Sequence, residues 1–124
     1  MKGNCNQIRK INHKDCILIY NILRDLGLKS STRGTTLINK AIQFVVTSAD
    51  NFIIIDDIYK LVANYYNDIN VMQIQAYIHY AIKHRNETKC KNNFKEIFGF
   101  EYDEYFFSNK NLIEEIANII KYES

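Results

Sequence analysis

A chain of 124 residues, 47% hydrophobic and 24% charged, fits one folded domain; it is too rich in apolar residues for a disordered tail and too short to hold a large two-domain enzyme. Net charge is only +2, which neither demands nor excludes a nucleic-acid partner, but its spread is uneven: residues 1–50 carry +5, residues 83–95 carry +4 and residues 96–124 carry −5. Proline is absent, which excludes a PxxP linker or a collagen repeat and leaves long helices without their strongest breaker.

The three cysteines, Cys5, Cys16 and Cys90, are too few and odd in number for a disulfide framework, so a reducing, cytoplasmic setting is expected. Residues 1–15 lack the apolar core of a signal peptide. No apolar run approaches the ~20 residues of a membrane span, so no membrane partner is expected.

Residues 1–14 read as a flexible polar leader, and residues 15–124 as one all-α domain of five or six helices. The first helix is expected over 14–26, with Ile17, Ile19, Tyr20, Ile22, Leu23 and Leu26 as its apolar face and Gly27 as its left-handed stop. A polar turn leads to a second helix over 35–47, with Leu37, Ile38, Ala41, Ile42 and Val45 inward. Phe52-Ile53-Ile54-Ile55 is β-prone, but a lone strand cannot satisfy its backbone, which favours a tight connection into a third helix. Asp56 and Asp57 suit the first turn of that helix, which ends near Tyr66.

Asn70 is a good N-cap for a fourth helix over 71–85, expected to turn Ile74, Tyr77, Ile78 and Ala81 inward and Gln73, Ala76, His79, Tyr80 and Lys83 outward. A looser stretch is expected to Lys91, then a short helix over 93–98 stopped by Gly99, and a last helix over 109–122. The helices over 57–66 and 71–85, joined by a four-residue turn, form a candidate helix-turn-helix. In such a unit the second helix enters the major groove of double-stranded DNA. Gln73 and Gln75 then face adenine, with Ala76, His79 and Tyr80 on the same face. Lys83, Arg85, Lys89 and Lys91, with Arg33, supply cations for the phosphate backbone. The same lysines also fit a plain solvated face, and the glutamines fit ordinary exposed helix positions.

The order and spacing of several segments carry a likeness: Arg24-Asp25-Leu26-Gly27-Leu28, Arg33-Gly34, Lys40-Ala41-Ile42, Val62-Ala63, Tyr77-Ile78-His79-Tyr80-Ala81-Ile82 and Ile97-Phe98-Gly99-Phe100. Over about 100 residues the chain resembles the C-terminal DNA-binding effector domain of the master sporulation response regulator of endospore-forming Firmicutes. The resemblance implies a six-helix bundle whose helix-turn-helix reads promoter DNA, binding as tandem or symmetric pairs. It also implies a sigma-factor contact on residues 87–95, and a stand-alone effector without its receiver. Family arginines fall on Gln73, Ala76 and His79, and the family histidine on Tyr80. Losing three guanidinium groups removes guanine and phosphate contacts together. Two readings follow: recognition of a different, more A·T-rich site, or a face that binds a protein regulator through Met72, Ala76, Tyr80 and Lys95.

No nucleophile–base pair or phosphate loop is visible, and Asp56-Asp57 and Glu114-Glu115 diverge around their helices. His79, His84 and Cys90 match no zinc spacing. A non-catalytic protein without cofactor or metal is expected.

Overall fold

The computed structural model describes residues 11–48 and 54–123, and within them the chain is α-helical without strands. Six α-helices follow in order: α1 His13–Asp25, α2 Arg33–Thr47, α3 Ile55–Tyr66, α4 Val71–Lys83, α5 Glu87–Phe98 and α6 Asn109–Glu123. A 3-10 turn, Glu104–Phe106, precedes α6. Most of the expected leader, and most of the β-prone connection before α3, lie outside the described residues.

Helix α2 is the hub. Its Leu37, Ile38, Ala41, Ile42, Val45 and Val46 are all buried, recurring at the spacing that keeps one broad helical face inward. Helices α1, α3, α4 and α6 pack around it. From α6 come Leu112, Ile113, Ile116, Ala117 and Ile120, all fully buried. Each leucine, isoleucine or valine among them contributes roughly 1.5–3 kcal/mol on leaving water, enough for this shared interior to dominate stability.

Local chemistry sets the helix ends. Asn12 caps α1 by accepting from the Asp15 amide at 2.8 Å. At the other end Gly27 takes φ +85° while the Leu28 N–H returns to the Leu23 carbonyl at 3.0 Å, closing α1 in a Schellman-like turn. A Cβ on Gly27 would also lie 2.4 Å from the Asn86 carbonyl oxygen, and the Asn86 N–H donates to the Gly27 carbonyl at 2.8 Å. The end of α1 is thereby tied to the start of α5. Asn93 Nδ2 adds a second tie, donating to the Asp25 carbonyl at 2.8 Å.

The structure corrects several expectations. Helix α5 begins at Glu87, not at Asn93, because Asn86 caps it by accepting from the Lys89 amide at 3.1 Å. Helix α4 stops at Lys83, so Arg85 lies beyond its C-cap His84. Ile17 and Tyr20 are 47% and 49% exposed, leaving Ile19, Ile22 and Leu23 as the inward stripe of α1. Tyr77, expected inward, is 42% exposed. Its backbone carbonyl is pressed against Gly34, where a Cβ would come to 2.0 Å, so α2 and α4 cross almost backbone to backbone. A crossing that close leaves no room beneath Tyr77, and its ring turns to the rim.

Candidate nucleic-acid interface

Helix α4 is held from behind and bare in front. Ile74, Ile78, Ala81 and Ile82 are buried against the core. Asn70 and Gln73 form a reciprocal capping box: Asn70 Oδ1 accepts from the Gln73 amide at 2.8 Å, and Gln73 Oε1 accepts from the Asn70 amide at 3.0 Å. Asn109, at the start of α6, donates through Nδ2 to the Gln75 carbonyl at 3.2 Å. The opposite side, with Met72, Gln75, Ala76, His79, Tyr80 and Lys83, is exposed.

Two shallow concavities flank this exposed face and meet at Ala76. One, of about 660 Å³, lies between the N-terminus of α2 and Gln73, Ala76, Tyr77 and Tyr80. The other, of about 420 Å³, is lined by Tyr59, Met72, Gln75, Ala76, His79 and Asn109. The alanine is the low saddle between them. Met72 is 79% and Tyr80 55% exposed, so the face is largely apolar at its centre. Tyr80 stacks on His84, ring centroids 4.1 Å apart, which extends the aromatic surface toward the C-terminal end of α4. At Tyr59, burial beside Asn109 pushes the phenol pKa up, against a hydrogen bond from Asn109 that lowers it; Asp56 adds to the rise.

The cations expected to meet phosphate differ sharply in their surroundings. Lys83 is exposed, and Lys89 is half-buried on α5. Lys91 pairs with Glu87 at 3.4 Å, and Lys95 with Glu101 at 2.6 Å. Arg33 donates to Asp68 at 2.8 Å and lies 5.9 Å from the centre of the Tyr77 ring. Arg33 thus sits at the rim of the larger concavity with its charge matched by a carboxylate in the turn before α4. The two are 35 positions apart, so no local pattern announces the pair.

Arg85 is the clearest departure from the sequence reading, which places it on DNA. Its guanidinium faces the interior: one terminal nitrogen donates to the Ile82 carbonyl at 2.8 Å, the other to the Tyr102 hydroxyl at 3.0 Å, and Nε to Cys90 Sγ at 3.3 Å. Its central carbon stands 3.9 Å from the centre of the Phe107 ring. Burial pulls its pKa down, but the contacts with Cys90 and Tyr102 outweigh it and the net shift is upward. Burial pushes the Cys90 thiol pKa up, only partly offset by the hydrogen bond and charge of Arg85.

Gln73 also changes role. An amide reads adenine with both its oxygen and its nitrogen, and the Gln73 oxygen is taken by the Asn70 amide. Gln75 carries the free carboxamide of the face.

Among the described residues no three His, Cys, Asp or Glu side chains gather to hold a metal ion, and no helix is long and apolar enough to cross a membrane. Comparison with known proteins finds no matching family model, no matching curated protein and no matching solved structure.

Proposed function

We propose that this domain is a non-catalytic, sequence-specific regulator that binds double-stranded DNA, with α3, the turn 67–70 and α4 acting as a helix-turn-helix. The observation that carries the reading is the state of α4: it is fixed from behind by the core, the capping box and Asn109, while its whole front from Met72 to Lys83 is uncovered. A rigid helix presenting one bare face is what major-groove reading requires. In this reading Gln75, Ala76, His79 and Tyr80 meet base edges, while Lys83 and Lys89 meet phosphates. The resemblance to the sporulation effector domain agrees with it. That likeness adds a sigma-factor surface on the exposed side of α5, near Lys91 and Lys95, and two copies side by side on DNA.

Selection of binding sites by the purified protein, followed by a salt titration, tests the proposal. An enriched motif whose affinity falls steeply with salt is expected. Lys83→Glu should weaken binding about ten-fold on every sequence, because it exchanges a phosphate contact for repulsion. Unchanged affinity in that variant removes Lys83, and this docking of α4, from the interface.

Asp68 makes a second prediction. It neutralises Arg33 at the rim of the face. An exposed pair of this kind holds by only about 0–1 kcal/mol. Asp68→Asn is therefore expected to tighten DNA binding about two- to five-fold and to steepen the salt dependence by roughly one released counterion. In an Arg33→Gln background the gain should shrink. An equal gain in both backgrounds means that Asp68 acts by simple repulsion of DNA, not through Arg33.

A second reading is favoured by one observation: the concavity beside Tyr77 and Tyr80 is lined mainly by apolar and aromatic surface. A domain derived from a DNA-binding scaffold could use it to hold another regulator. Tyr80→Asp should then abolish a protein complex without unfolding the domain. Pull-down from the source cells with both versions decides.

A further inference from the structure

We infer that the exposed face of α4 is matched to the methyl-lined major groove of A·T-rich duplex DNA, a step that rests on the DNA-binding reading above. The chemistry of the face separates the four bases. Guanine is read by a fork of donors, and α4 itself carries no arginine; Arg85 is held by the interior, and Arg33 stands at the rim, paired with Asp68. Thymine is read through its 5-methyl group by small or apolar side chains, and adenine by a carboxamide.

Those groups make up most of this face, with the His79 imidazole beside them. Ala76 lies at its centre, shared by both concavities, so a methyl group approaching there meets a methyl side chain on a floor with room on either side. Met72 and Tyr80, four positions before and after it, widen the apolar strip. Gln75 supplies a carboxamide one residue away, its backbone carbonyl fixed by Asn109.

Charge fits the same occupant. Arg33 stands at the rim beside the N-terminus of α2, and Lys83 at the last turn of α4. Lys83 sets an exposed cation at one margin of the apolar strip, where a groove floor of methyl groups would have a phosphate wall; at the other margin the charge of Arg33 is matched by Asp68 and is released to a phosphate only as that weak exposed pair opens. A protein partner of ordinary surface would match the apolar strip without calling for that flanking.

The test changes the DNA and leaves the protein intact. A pool of duplexes with random cores is selected with the full chain, and the enriched pool is then amplified twice, with thymidine or with deoxyuridine triphosphate. Uracil lacks the 5-methyl group and keeps every hydrogen-bonding edge. Enriched cores rich in A·T are expected, with the uracil pool bound about four-fold more weakly for each methyl group that the face no longer meets. Ala76→Gly should narrow the difference between the two pools. Equal binding of the thymine and uracil pools, or enrichment of G·C-rich cores, overturns the inference and leaves DNA binding itself standing. A pool that is never enriched, with no salt-dependent binding, overturns both.

Discussion

Gly34→Ala should lower the stability of the domain by about 3 kcal/mol and its melting temperature by roughly 10 °C. The added Cβ would stand 2.0 Å from the Tyr77 carbonyl oxygen and 2.7 Å from both the Tyr77 carbonyl carbon and Ala81 Cβ. Two of these three atoms are backbone in the middle of α4, so no side-chain rotation relieves the clash. Helices α2 and α4 must move apart, and Leu37, Ile38, Ile74 and Ile78 are packed beside that crossing with no exposed surface to spare. The sign of the effect is informative. Within an isolated helix, alanine is better than glycine by about 1 kcal/mol, so a helix free of α4 would be stabilised by the change. Urea denaturation of the two proteins decides between the two signs. A neutral or stabilised variant would mean that the helices do not cross this closely. If α4 reads DNA as proposed, the folded fraction of Gly34→Ala should lose DNA affinity as well, because the crossing also fixes how far α4 stands out from the core.

That crossing shows where sequence reading stops. Five of the six helices are legible to within two residues at their starts, because Asn70, Gly27 and Gly99 are local start and stop signals and the apolar periodicity of α2 and α6 is strong. The first turns of α5 escape such a reading because only Cys90 and Phe94 along that helix are buried, too sparse a stripe to outweigh its lysines and asparagines. Its spacing with Ile74, Ile78 and Ala81 assigns Tyr77 inward, and the contact that turns it out is made by Gly34, 43 positions earlier. The exposed face of α4 follows from the same periodicity. The fates of its charges do not, because Arg33 finds Asp68, and Arg85 finds Tyr102 and Phe107, only through tertiary packing.

Arg85→Ala is expected to remove about 2–3 kcal/mol of stability and, under the proposed DNA-binding function, to leave the DNA affinity of the folded protein unchanged. The guanidinium joins three parts of the chain that otherwise meet through few polar contacts: the end of α4 through the Ile82 carbonyl, α5 through Cys90, and the segment before α6 through Tyr102 and Phe107. Truncation leaves the Tyr102 hydroxyl without its donor, at about 1–3 kcal/mol if it stays buried, and uncovers one face of Phe107, whereas the Ile82 carbonyl keeps the backbone N–H of residue 85 at 3.3 Å. It also loosens the aromatic cluster of Phe94, Phe98, Phe106 and Phe107, whose rings meet edge to face or tilted at 4.5–5.7 Å. Arg85→Lys tests the geometry: the charge is kept, but a single ammonium cannot reach partners spread around a planar fork, so more than half of the loss should persist. Chemical denaturation measures the stability of each variant, and a binding titration under conditions where both stay folded measures its affinity. If Arg85→Ala is as stable as the parent but binds DNA as weakly as Lys83→Glu, the guanidinium works on the outside and the placement of α4 relative to α5 must be redrawn. The expected split, with Arg85 changing stability and Lys83 changing affinity, would assign to two cations only two positions apart one interior and one exterior task.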